Sequence, residues 1–540
     1  MRWTTLLFLA ACGGEAEPLP PAPFTAVPCT PNQASPYPDG LPYVGIHANA
    51  ANDDVIACTT AEDFRQDWHA LKGHAVMQPS TLSPDALTVY ATATTPESDG
   101  CTLFALEARD GSEKWCLPLP FDVVASSVEV DQDGLLYVSA GGRAWSFGPD
   151  GAELWSTPLW PDGPEPADED LADHTGYGLH FTGDGHIALV TAAGRVVLLD
   201  RTTGSLLDAM DLPSTFGLVP PPESLLSGFD LVPLMPDEVI ADVESIFGDR
   251  AAEALGSFFG SGSNFSDNTI AVSPRGDLYV IGGGPTEDSG ALVQIVVEDG
   301  PTLTPGWFTE TRPGSAATPS ISPDGRWVAA SDGTATRSLT DPEDADATVF
   351  AIDVDACDAN TDSDPDPARC SVAWEHPLER GAMPGAPALL PDGSVWFYEL
   401  GFSLDSDPTA RDMVQVGSDG VLVESVLPDE MEWNSVLTVS DNHIIGTAST
   451  ITPSDTNLAG LVLPLKTDDE LLVLSREDAS IRFRAPITDD SAATVSLGPD
   501  GSLYAGLLGL TTMLAIEQRP TLGLIRFRPV DCSADGVSCP

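Results

Sequence analysis

One short unit, repeated along most of the chain, limits the fold more than any other feature. It is an Asp-Gly pair, or a near equivalent, followed by an apolar or alternating run. Asp133-Gly134 precedes Leu135-Leu136-Tyr137-Val138, and Asp184-Gly185 precedes His186-Ile187-Ala188-Leu189-Val190. The unit returns at Arg275-Gly276 before Asp277-Leu278-Tyr279-Val280 and at Asp324-Gly325 before Arg326-Trp327-Val328-Ala329. Asp392-Gly393 before Ser394-Val395-Trp396-Phe397 and Asp500-Gly501 before Ser502-Leu503-Tyr504-Ala505 complete the run. Such a pair supplies the positive φ of a tight hairpin, and the residues after it have the pattern of a buried strand. Where nothing is inserted, the units are ~35–45 residues apart, the length of a four-stranded blade in a closed repeat fold. A length of 540 residues does not force a division, because all-β repeat folds run large as single domains.

Each hairpin is followed by a third strand and often by a second turn and a tryptophan strand. Leu103-Phe104-Ala105-Leu106-Glu107, Asp110-Gly111 and Glu113-Lys114-Trp115 form the clearest example. Arg143-Ala144-Trp145-Ser146-Phe147, Asp150-Gly151 and Glu153-Leu154-Trp155 repeat it, and Val196 to Asp200, Thr203-Gly204 and Ser205-Leu206-Leu207 form a weaker copy. This pattern resembles the pyrroloquinoline-quinone-type propeller repeat of quinoprotein dehydrogenases and of the propeller lipoprotein of the outer-membrane β-barrel assembly machinery. The resemblance implies an all-β propeller. Units begin near Leu82, Val128, Leu179, Ile270, Ile321, Leu389, Leu437 and Val495, which predicts eight blades, with seven as the alternative count. The last unit lacks a tryptophan strand, whereas Phe64-Arg65-Gln66-Asp67-Trp68-His69 has that look and no blade before it. The strand around Trp68 is therefore expected to close the ring, removing exposed sheet edges.

Two stretches interrupt the rhythm. Residues 213–263 lose the strand pattern, and Asp237 to Phe259 places Val239, Ile240, Val243, Ile246, Phe247, Ala254, Leu255 and Phe258 at helical spacing, which predicts a helical insertion. Residues 334–370 form an acidic insertion, expected as a loop. Within it, Asp353, Asp355, Asp358, Asn360, Asp362, Asp364 and Asp366 alternate oxygen donors between Cys357 and Cys370. Calcium takes several such ligands, and the run resembles aspartate-rich calcium loops. It departs from the EF-hand loop in lacking the glycine and the terminal glutamate, so a solvated acidic loop is the competing reading.

At the N-terminus, Arg2, the apolar stretch Trp3 to Leu9 and the run Leu9-Ala10-Ala11-Cys12 have the layout of an export signal with a small-residue cleavage site. The run resembles the lipobox of bacterial lipoproteins. The resemblance implies that residues 1–11 are removed and that Cys12 carries the lipid, with Gly13 favouring the outer membrane. Residues 12–41, rich in proline and alanine, read as a flexible tether, and 42–540 as the propeller domain. The eight remaining cysteines fall into near neighbours, Cys29 with Cys58, Cys101 with Cys116, Cys357 with Cys370 and Cys532 with Cys539. Eight cysteines allow 105 pairings, so these are the pairings that proximity favours. An even count suits an oxidising compartment.

Twenty-three basic against 82 acidic residues leave a net charge of −59, a field that repels phosphate backbones and rules against nucleic acid as a partner. The sequence contains no H-E-x-x-H, G-x-S-x-G or Walker motif. The resemblance to quinoprotein dehydrogenases would imply a quinone and calcium at the ring centre, often beside a disulfide between adjacent cysteines. No two cysteines here are adjacent, and no motif locates the family's catalytic aspartate. The expectation is an exported, lipid-anchored scaffold that binds a protein or another envelope ligand without catalysis. The alternative is a quinoprotein-like dehydrogenase or a propeller hydrolase with its site in the central funnel.

Overall fold

The computed structural model describes residues 36–530, apart from 95–99, 121–124, 162–164, 168–170, 221–263, 267, 299, 314–316, 333–346, 362–368, 379–384, 400–412, 427–430, 459–460, 510–511, 513–514 and 516. These residues form eight antiparallel sheets arranged as the blades of a propeller. Strands are lettered A to D from the axis outwards. Blade 1 comprises Thr81–Leu82, Thr88–Thr92, Leu103–Glu107 and Glu113–Leu117. The innermost strands of the later blades are Glu129–Val130, Leu179–Phe181, Ala271–Val272, Ser320–Ile321, Ala388–Leu389, Thr438–Val439 and Ser496–Leu497, each at or beside a unit start read from the sequence.

The hairpin signals act through two residues. In Asp324-Gly325-Arg326, the Asp324 carboxylate accepts from the Arg326 backbone N–H, while Gly325 takes the left-handed φ of 70°. An Asx turn of this kind, ended by a glycine, reverses the chain without strain. Because strands alternate in direction, all A–B and C–D turns lie on one face of the ring, here the turn face. The B–C and D–A connections lie on the other.

The ring closes as expected. Phe64–Ala70 is the outermost strand of blade 8, running from Phe64 opposite Pro529 to Ala70 opposite Leu524. Tryptophans then join blade to blade. A Cβ on Gly111 of blade 1 would lie 2.8 Å from Trp68 of blade 8, and one on Gly204 of blade 3 would lie 2.5 Å from Trp155 of blade 2. Trp68 Nε1 donates to Ala108 O, Trp115 Nε1 to Pro149 O and Trp155 Nε1 to Arg201 O, each at 3.1 Å. The glycine and tryptophan of the repeat thus belong to one joint, made between neighbouring blades.

The acidic insertion differs from expectation in two ways. Strand C of blade 5, Thr348–Asp353, runs through residues 334–370, and the aspartate run begins as a helix, Val354–Thr361, not a loop. The helix follows a buried apolar strand and carries Cys357, bonded to Cys370, which favours a compact turn of chain there. The expected helix at 237–259 lies outside the described residues. A short helix, Leu212–Phe216, precedes it, capped by the Asp211 side chain.

Candidate functional site

Residues 36–60 do not trail from the ring. They occupy its axis. Each inner strand is a sheet edge with unpaired backbone donors, and buried donors need partners. The N–H groups of Val272, Ile321, Leu389 and Val439, in blades 4 to 7, donate to the carbonyls of Ala50, Ala51, Asp53 and Asp54. A segment reaching four consecutive inner strands in this order must lie inside the ring. It enters at the turn face, where Gln132 N donates to Pro36 O. It then dips to Thr494, ahead of the blade 8 inner strand, whose hydroxyl meets Tyr43 and Ile46 O. It returns to the turn face, where Thr60 meets Asn442 and His443 of blade 7. Pro36 and Tyr37, inside the stretch assigned to the tether, are therefore packed structure. Ala48, Asn52 and Asp54 hold left-handed φ of 63°, 53° and 53°, a conformation that costs a non-glycine residue energy unless its surroundings enforce it.

The segment and the inner strands enclose polar groups with almost no solvent contact. Phe181 N–H donates to the Tyr37 hydroxyl, which in turn lies 3.3 Å from His180 Nδ1. His180 Nε2 is 2.7 Å from Asn52 Oδ1, and Asn52 Nδ2 donates to Ile270 O. The amide orientation makes Nε2 the protonated nitrogen and leaves Nδ1 to accept from Tyr37. Glu129 Oε1 is 3.3 Å from the same Nδ1, yet neither Glu129 oxygen has a hydrogen-bond partner. Burial pulls His180 down to about 3, with His47 adding to the effect, and pushes Glu129 well above the usual carboxyl range. His180 is therefore neutral near pH 7, and burial favours the protonated form of Glu129.

A second carboxyl pair lies on the segment itself. Asp53 Oδ1 accepts from Asn49 Nδ2 at 2.7 Å and from Val55 N at 3.0 Å. Asp54 Oδ2 is 3.0 Å from His47 Nδ1. Burial pushes Asp53 up to about 7 and Asp54 to about 6. Asp53 Oδ2 and Asp54 Oδ1 have no partner. Sequence reading missed this cluster. The signals that could have found it were an acidic residue in an apolar inner strand, Val128-Glu129-Val130, its neighbour His180, and an Asn/Asp-rich stretch at Asn49 to Asp54 with no strand or helix period.

The described residues of the proposed calcium set are not gathered at one point. Asp353 pairs with Arg326 at 2.9 Å and Asp355 with Arg275 at 2.7 Å. Asp358 accepts from the Trp307 indole at 3.1 Å, and Asn360 lies in the helix Val354–Thr361, while Asp362 and Asp364 lie outside the described residues. Among the described residues no group of three or more His, Cys, Asp or Glu side chains is arranged to hold a metal ion. Two of the favoured cysteine pairings are present, Cys101–Cys116 and Cys357–Cys370. Cys58 is also disulfide-bonded; Cys12, Cys29, Cys532 and Cys539 lie outside the described residues. No described helix is long and apolar enough to cross a membrane.

No protein-family model and no curated protein matches the sequence. Solved structures do. A europium-containing methanol dehydrogenase aligns with a TM-score of 0.52 at 12% identity, over 90% of this chain and 98% of its own. The quinohemoprotein alcohol dehydrogenase of Comamonas testosteroni aligns at 0.52 and 13%, over 90% and 80%. BamB from Moraxella catarrhalis aligns at 0.46 and 12%, over 87% and 100%. At such identities the likeness is one of fold: the chain has the eight-bladed propeller fold of the quinoprotein dehydrogenases, with its own residues 36–60 on the axis.

Proposed function

We propose that this protein is an exported scaffold, anchored to the outer membrane by a lipid on Cys12, whose propeller binds a protein or other envelope ligand without catalysis. The observation that carries the reading is the filled axis. An enzyme of the quinoprotein type would need that space for cofactor and substrate, and here it holds buried chain bonded to four blades. The arrangement of connections supports a division of labour between the two faces. The segment enters from the turn face, whereas the strands flanking residues 212–270, 332–347 and 399–412 end on the opposite face. A tether on one face leaves the opposite face for a ligand.

Two measurements test this. Cys12→Ser should move the protein from the membrane fraction to the soluble fraction and abolish incorporation of a labelled fatty acid. Retention in the membrane would refute the anchor. Purified protein incubated with pyrroloquinoline quinone and calcium should reduce no artificial electron acceptor when supplied with alcohols or sugars. Turnover there would establish the enzymatic alternative.

A further inference from the structure

We infer that the axial segment 36–60 is a pH-controlled latch, seated in the ring while Asp53, Asp54 and Glu129 keep their protons and released as they ionise. Position carries the argument. All three carboxyls lie at the contact between segment and ring, and all three are buried, with relative exposures of 1%, 0% and 0%. Four of their oxygens, Asp53 Oδ2, Asp54 Oδ1 and both of Glu129, have no partner that could stabilise a charge. The fit is tight as well: a Cβ on Gly45 of the segment would lie 2.2 Å from Glu129 Oε1. Water has no room to solvate a carboxylate there unless the segment moves.

Among the groups facing these carboxyls, the one opposing charge is that of His47, which lowers Asp54 against the effect of burial. Glu129 faces Tyr37, Tyr43 and Gly45 of the segment and His180 of blade 3. Asp54 faces His47, Tyr43 and, from blade 6, Tyr398. Asp53 faces Asn49 and Asp54. No lysine or arginine among the described residues acts on any of the three; the nearby Arg201 is already paired with Asp131. His180 is held neutral by the same burial, so it provides no counter-charge.

The direction of the effect follows from linkage. The seated state holds protons that the released state gives up, so release is least favoured below the ordinary carboxyl range. It becomes easier as pH rises through about 6 and about 7, the values for Asp54 and Asp53, and further still through Glu129. Between its released and seated pKa, each carboxyl makes release about tenfold easier per pH unit. The left-handed residues Ala48, Asn52 and Asp54 favour release in addition, since a freed segment would relax them.

Hydrogen–deuterium exchange on the full chain at pH 5 and pH 8, corrected for intrinsic rates, tests the latch. The amides of Val44, Asn52 and Ile56, and those of Val272, Ile321, Leu389 and Val439 that bond to the segment, should lose at least about 100-fold of protection at pH 8. Val138 and Val280, within the sheets of blades 2 and 4, should stay more protected than these at pH 8. Asp53→Asn and Glu129→Gln should each flatten the pH dependence of the segment. The inference fails if segment and sheet amides move in step at both pH values, or if both variants retain the wild-type slope. The wild-type comparison stands even where a variant does not fold.

Discussion

At the scale of single residues, the blades depend on a glycine meeting a tryptophan from the next sheet. Gly204 has a φ of 70° and no room for a Cβ beside Trp155. Gly204→Ala therefore meets two penalties, backbone strain and collision, and should lower unfolding stability by about 1–3 kcal/mol, read as a shift in denaturant midpoint. Where the tryptophan is missing the joint is rebuilt. Asp208 stands at that place in blade 3, and its carboxylate accepts from Leu303 N of blade 4 at 2.7 Å. Trp307 of blade 4 finds its acceptor in Asp358, a member of the acidic run. An aspartate that suggested a cation ligand in sequence serves here as an indole acceptor.

At the scale of elements, sheets of short strands depend on staples that fix register. Cys101 and Cys116 join the start of strand C of blade 1 to its strand D, across a sequence separation of 15 residues. Closing a loop of that length stabilises by about 3 kcal/mol in the chain-entropy model. Cys101→Ser with Cys116→Ser should lower the thermal midpoint while leaving the far-ultraviolet β signal in place. Loss of that signal at 25 °C would mean that the staple is required for the blade to form at all.

At the scale of the molecule, one cation ties the closing strand to both blades that it joins. Arg526 of blade 8 bonds Asp67 at 3.0 Å on the closing strand, Asp500 at 2.6 Å on its own A–B turn, and Ala108 O of blade 1 at 2.8 Å. Removing the buried guanidinium leaves two partly exposed carboxylates and a carbonyl without their partner. Arg526→Met should therefore cost about 3 kcal/mol, and the loss should appear first in the amides of Phe64–Ala70, observable by hydrogen exchange.

The blades, their number and their closure were legible in the sequence because each signal is local. An Asp-Gly turn, an alternating strand or a stranded Trp68 segment carries its meaning within ten residues, and apolar strands with such turns have few ways to bury themselves. The near-neighbour disulfides Cys101–Cys116 and Cys357–Cys370 were legible for the same reason. The axis was not. Residues 36–60 show no period, and the first six of them read as tether, because their partners are the edge donors of Val272, Ile321, Leu389 and Val439, brought to one place only when the ring closes. Glu129 and His180 were hidden in the same way: in sequence each is an odd polar residue in a strand. Only the tertiary structure could decide that these side chains share a dry centre, because burial and the proton affinities that follow from it belong to an environment that distant parts of the chain build together.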